Sequence, residues 1–225
     1  MQGTPHSSRI GGLLVLLAAM VGCTAQGEPE PPARQHIWPP QVGQTYPDLE
    51  LRAPGGDRIA LSSFRGKVIL VEPVGMDCPA CNAFSGANRS GVGGFQGTHP
   101  QPGLPSVHEM LEQNGVAPDD DRLVIVQILF YDMKRSGPPS LGLARRWTEH
   151  FGLGVGANEV VLVADDYLIG PASYRMVPGF QLVDPEFRLR FDATGHRPRH
   201  DLWRELLPAL SGLLAEVEPA ARAGA

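Results

Sequence analysis

Lys67-Val68-Ile69-Leu70-Val71-Glu72-Pro73-Val74-Gly75-Met76-Asp77-Cys78-Pro79-Ala80-Cys81 is the stretch that decides how this chain reads. Residues 67–71, apolar after Lys67 and rich in β-branched side chains, have the composition of a buried strand. The segment from Pro73 to Asp77 is expected to turn the chain. Pro79 then stands where the first helical residue falls, a position proline tolerates because its missing N–H would be unpaired there anyway. Two thiols three positions apart at a helix start, Cys78 and Cys81, form a reversible disulfide. Strand, turn and dithiol together point to thiol–disulfide exchange.

The reactive species in such exchange is the thiolate, and a free cysteine is mostly protonated at neutral pH. Unpaired N–H groups at a helix N-terminus act as a partial positive charge that favours a nearby anion. Cys78, at the cap position, is therefore the expected nucleophile. Cys81 lies one turn deeper and is expected to resolve the mixed disulfide. The same spacing also serves a zinc half-site or a purely structural disulfide. Zinc needs about four ligands, but the only other cysteine is Cys23, and no histidine pair stands near the motif. His196 and His200 are four apart on a Gly/Pro/Arg-rich segment, expected as a solvated basic loop or a partner-docking patch. No metal and no cofactor are expected.

With 225 residues the chain has room for one domain with a substantial core plus extensions. A net charge of −5 without a long basic run argues against nucleic acid as a partner. Residues 1–22 read as an export signal: Arg9 precedes the apolar run Ile10 to Val21, too short to span a bilayer, which takes about 20 residues. Met20-Val21-Gly22-Cys23 resembles a bacterial lipobox, departing from it at Met20. The resemblance implies that Cys23 is lipidated and becomes the first mature residue. Lipidation of Cys23 leaves the motif pair as the only free thiols, working outside the reducing cytosol where such a pair can cycle.

Residues 23–40 carry that cysteine and a polar, proline-rich tether. The folded domain is expected over 41–218, with 219–225 as a disordered tail. Within it, Tyr46 to Leu51 and Ile59 to Leu61 read as strands around the turn Gly55-Gly56-Asp57. Leu123 to Tyr131 and Val160 to Ala164 are further strands, and Phe180 to Val183 with Phe187 to Phe191 form a hairpin. Helices are expected over Val107 to Asn114, Leu141 to Phe151 and Leu202 to Val217, the last capped by Asp201. Ser85 to Pro105, with its many glycines, reads as a long loop leaving the dithiol helix. It either lines the reactive centre or is a surface insertion without a role. Strands alternating with helices, then a hairpin and a closing helix, imply an α/β architecture: a central mixed β-sheet flanked by helices.

Three runs carry a family resemblance. Leu61-Ser62-Ser63-Phe64-Arg65-Gly66-Lys67-Val68-Ile69-Leu70-Val71 is similar to an L-x-x-F-x-G-K-V-x-L-V pattern, and Cys78-Pro79-Ala80-Cys81 follows it. Val177-Pro178-Gly179-Phe180-Gln181-Leu182-Val183-Asp184-Pro185 is similar to V-P-x-x-x-L-I-D-P. Over about residues 41–217 the chain thereby resembles the exported, membrane-tethered thiol–disulfide oxidoreductases and redoxins of the thioredoxin-like superfamily. The resemblance implies a thioredoxin-like fold with a Gly-rich insertion after the redox helix, and protein thiols and disulfides of the cell envelope as partners. It also implies that Pro178 is cis and faces the disulfide. Glu72, six residues before Cys78, takes the place of the buried acid beneath the resolving cysteine. The aromatic pair usual before the motif is missing, and Asp77 is expected to raise the Cys78 pKa by its charge.

Two other functions of related proteins fit this sequence less well. A peroxiredoxin-like enzyme places Thr or Ser three residues before its reactive cysteine and proline four before that, whereas Gly75 and Val71 occupy those places here. A copper-delivery protein places three residues between its cysteines and adds a distant histidine. Here two residues separate them.

Overall fold

The computed structural model describes residues 38–217 apart from 155 and 157, together with residues 1 and 3. The chain divides into two compact units, Met1–Gln35 and His36–Ala225. The expected export signal, Cys23, the tether up to residue 37 and the tail after 217 lie outside the described residues.

Seven strands form one sheet: β1 Glu50–Arg52, β2 Arg58–Ala60, β3 Val68–Gly75, β4 Leu123–Tyr131, β5 Glu159–Val163, β6 Gly179–Val183 and β7 Leu189–Thr194. Their order is β2-β1-β5-β4-β3-β6-β7. The three central strands run parallel, while β1 and β6 join them antiparallel, so the sheet is mixed as expected. β3 and β4 are apolar throughout except at Glu72 and Gln127, and every residue of both is buried. Such continuous hydrophobic runs are the mark of parallel strands covered on both faces.

β3 runs through Pro73 to Gly75, where the sequence led us to expect a turn. β6 pairs with β3 only over Ile69–Val71, so Pro73 lies beyond the doubly paired part of the strand, where a proline is tolerated.

Side-chain alternation sorts the core into two faces. Val68, Leu70, Leu123 and Ile125 pack under α1 Pro79–Phe84, α2 Val107–Gln113 and α5 Leu207–Glu216. Farther along the same face, Val74 and Leu129 pack with Trp147 and Phe151 of α3 Leu141–Phe151. Ile69, Val71, Val124, Val126 and Phe130 face the other way, against Tyr46, Leu49 and Leu61.

Trp38 also joins this second face. Its ring stacks on Phe130 at 5.6 Å between centroids, and its indole N–H donates to Ser173 Oγ at 2.8 Å. Packing therefore already includes the last residues of the expected tether. Ser173 belongs to a short helix the sequence did not announce, α4 Pro171–Arg175. The closing helix begins as a π turn over Leu202–Leu206, capped by the Asp201 carboxylate on the N–H groups of Trp203 and Arg204.

The Gly-rich stretch 85–105 is not a loose excursion. Phe95 is buried and meets the Trp147 ring edge-on at 5.3 Å, and its N–H donates to Asn82 Oδ1 at 2.8 Å. The Asn88 amide donates to the carbonyls of Gln101 and Leu104, while Arg89 Nη2 donates to Phe151 O at 2.8 Å. Gly94 fits because a Cβ there would lie 1.7 Å from Thr98 O.

Candidate active site

The dithiol sits where β3 ends, at the carboxyl edge of the parallel strands, the place where open α/β sheets bind ligands. Met76 N still donates to Tyr131 O at 2.9 Å, and Cys78 N then donates to Gly75 O at 3.0 Å, which closes the turn. Cys78 is the N-cap of α1, with Pro79 at its first position. The buried Asn82 amide donates to the carbonyls of both Met76 and Cys78 at 2.9 Å, so the turn is held from inside the helix.

Both cysteines are free thiols in this structure, and their surroundings are opposite. Cys78 is half-buried at the edge of a cavity of about 330 Å³. Its sulfur accepts a hydrogen bond from Cys81 N at 3.4 Å. The Cys81 thiol and the N–H groups of Cys81 and Ala80 stabilise its thiolate, and they outweigh burial and the Asp77 charge. The Cys78 pKa is lowered to about 7. Cys81 is fully buried, and its pKa is pushed well up by burial first, then by the Cys78 sulfur and by Glu72.

Glu72 lies beneath the pair. Parallel pairing sets it level with Gln127 of β4, and the Gln127 amide donates to Glu72 Oε2 at 2.9 Å and to Ser85 Oγ at 3.0 Å. The Trp147 indole donates in turn to Gln127 Oε1 at 3.1 Å. Glu72 Oε1 is buried without a hydrogen-bond partner. Burial raises its pKa well above the ordinary carboxylate value, offset in part by the Gln127 bond. Neutral, such a carboxyl can hand a proton over close to Cys81; ionised, it can take one up.

Pro178 borders the cavity beside Cys78, and the Val177–Pro178 bond is cis. A Cβ on Gly75 would stand 3.5 Å from Val177 Cγ1, so the Val177 turn lies directly against the strand end. Gly179 must be glycine: its φ is +139° and a Cβ would fall 2.2 Å from Ala193 O. The sequence-derived residues Cys78, Cys81, Glu72 and Pro178 thus come together, while Cys23 lies outside the described residues.

Other residues at the site escaped the sequence reading. Gln101 brings the Gly-rich stretch to the cavity, with its N–H donating to Pro79 O at 2.9 Å. Tyr131, Arg135 and Tyr174 also line the cavity. Arg135 pairs with Asp77 through Nε, and the Asp77 charge acts to raise the Cys78 pKa as expected, though other contacts outweigh it. His196, exposed on the loop after β7 as expected, also borders the cavity. His200 is engaged elsewhere: its Nδ1 accepts from Asp192 N, and its ring meets Phe191. Among the described residues no group of three or more His, Cys, Asp or Glu side chains could hold a metal ion.

No family model matches the sequence, and no curated protein matches it. Solved structures do match. A proposed protein disulfide isomerase of Bacteroides thetaiotaomicron is 14% identical with a TM-score of 0.50, over 78% of this chain and 91% of that one. A hypothetical protein of Sinorhizobium meliloti 1021 is 17% identical with a TM-score of 0.52, over 80% of this chain and 88% of that one. The thioredoxin domain of a thiol-disulfide oxidoreductase of Bacteroides vulgatus is 16% identical with a TM-score of 0.46, over 76% and 98%. The chain has a thioredoxin-like fold.

Proposed function

We propose that this chain is a thiol–disulfide oxidoreductase of the bacterial cell envelope, exchanging disulfides with protein partners through Cys78 and Cys81. One observation carries the reading. A half-exposed thiol with a pKa of about 7 stands directly before a fully buried thiol whose pKa is raised. That asymmetry divides the labour of exchange: the first sulfur attacks and the second waits.

In the reductive direction the Cys78 thiolate attacks one sulfur of a partner disulfide. A mixed disulfide forms and the partner's other sulfur leaves as thiolate. Once Glu72 has ionised, Cys81 passes its proton to that carboxylate and attacks Cys78, closing the Cys78–Cys81 disulfide and releasing the reduced partner. The oxidative direction runs the same steps backwards. Pro178 and the Val177 backbone border the thiol and would align an extended partner segment beside it. A lipid on Cys23 would hold the domain at the membrane surface, and the residues after it would give reach. Among the described residues no helix is long and apolar enough to cross a membrane.

The test is capture. Cys81→Ser stops resolution after the first attack, so envelope extracts treated with this variant should yield protein adducts that reducing agent releases. The same variant carrying Cys78→Ser should yield none. An absence of adducts with Cys81→Ser, together with no insulin reduction by the native protein, would remove the reading.

A further inference from the structure

Asp77 is a carboxylate next to the attacking thiol, and a negative charge there opposes ionisation of Cys78. The fold supplies an answer from a distant part of the chain. Arg135 Nε donates to Asp77 Oδ2, and Arg135 Nη1 donates to Tyr174 Oη at 2.8 Å. The guanidinium also lies 5.8 Å from the Tyr174 ring centroid. Asp77, Arg135 and Tyr174 all border the Cys78 cavity, and the charges of Arg135 and Cys78 interact.

The loop after β4 is built to deliver this side chain. Asp132 Oδ1 accepts from Lys134 N at 2.9 Å and from Ser136 N at 3.0 Å, and Oδ2 accepts from Ser136 Oγ at 2.7 Å. Arg135 N donates to Asp132 O at 3.1 Å, and Arg135 itself takes a φ of +56°. A non-glycine residue in the left-handed region is uncommon, and such strain concentrates at functional sites.

We propose that Arg135 is a positioning residue for the attacking thiol: clasped between Asp77 and Tyr174, it offsets the carboxylate charge beside Cys78 and keeps the thiolate available to a partner. The proposal rests on the exchange reading for its purpose, while its physical content concerns ionisation alone. The groups that face Cys78 are Glu72 from β3, Asp77 from its own turn, Cys81 from α1 and Tyr131 from β4. Arg135 from the following loop, Tyr174 from α4 and His196 after β7 complete the set. Of these only Arg135 carries a fixed positive charge, so its removal has one expected sign.

The experiment measures iodoacetamide alkylation of Cys78 against pH in the reduced full-length protein, read at that residue by peptide mass spectrometry. Native protein should show a midpoint near 7. Arg135→Gln should raise it by about half a unit or more, and Asp77→Asn should lower it. The double variant should fall between the two, and Arg135→Lys should stay near the native value. An unchanged or lowered midpoint in Arg135→Gln would overturn the proposal. So would a double variant as high as Arg135→Gln, since nothing would then be offset. The readout needs no turnover, so a protein that fails to exchange disulfides yet shows these shifts would sink the proposed function and leave this inference standing.

Discussion

The rim of the dithiol site and its floor are built from different materials. Around Cys78 stand Asp77, Arg135, Tyr174 and His196, polar and partly exposed, brought in by the turn after β3, the loop after β4, α4 and the turn after β7. Around Cys81 stand Glu72, Gln127 and Trp147, carried by two central strands and a long helix and buried from water. Two residues separate the cysteines, yet one sulfur faces a screened, adjustable field and the other an unscreened, fixed one. In a low-dielectric interior an unpaired polar atom weighs heavily, whereas at the surface an ion pair weighs little. The floor should therefore govern stability and proton movement, and the rim should tune reactivity at small cost.

The largest expected contrast lies between the thiols themselves. Iodoacetamide on the reduced native protein should label Cys78 with a midpoint near 7 and Cys81 at least about 100-fold more slowly, because labelling it requires local opening. Comparable rates for the two, read by peptide mass, would break the division between rim and floor.

Glu72→Gln comes next. Resolution of a mixed disulfide at pH 7, followed by stopped flow with a model disulfide, should slow on the order of 100-fold, the scale of a lost proton acceptor. The same variant tests the sign of linkage. The Glu72 pKa is raised in the folded state, so above about 4.3 the unfolded chain releases a proton that the native state keeps. Stability therefore falls as pH climbs from the unfolded value towards the folded one. Urea unfolding at pH 5 and pH 8 should show a smaller decline in Glu72→Gln than in the native protein. An equal decline would mean the carboxyl is not held neutral.

Trp147→Phe keeps most of the packing and removes the donor to Gln127 Oε1, leaving a buried acceptor unpaired. Unfolding should show a loss of about 1–3 kcal/mol. Tyr174→Phe removes the half-exposed hydroxyl that accepts from Arg135, and should cost no more than about 0.5 kcal/mol. A rim substitution as costly as the floor one would erase the distinction.

How far the sequence made this visible follows the same division. β4 and α3 occupy the predicted residues, because a continuous apolar run and a helical apolar stripe ended by Gly152, in the left-handed region at φ +68°, are strong local signals. Cys78, Cys81, Glu72 and Pro178 were legible through spacing and resemblance. Gln127 left a trace that went unread: it is the lone polar residue in Leu123 to Tyr131, and a polar side chain in such a run needs a buried partner. Arg135 left none. Its backbone conformation, its pairing with Asp77 and the approach of α4 all depend on contacts between distant segments. The stretch 85–105 is a loop as read, apart from the 3-10 turn Phe95–Gly97, and its glycines permit tight passages such as Gly94 against Thr98 O.

Trp38 ties the segment before β1 to the wall of the dithiol cavity. Its indole bonds to Ser173, the residue before Tyr174, whose hydroxyl meets Arg135 beside Asp77. A truncated protein that begins at Gln41 would strip the cover from Phe130 and loosen α4 from below. Such a version would report the chemistry of an altered rim, so measurements on a soluble fragment belong on one that keeps the tryptophan.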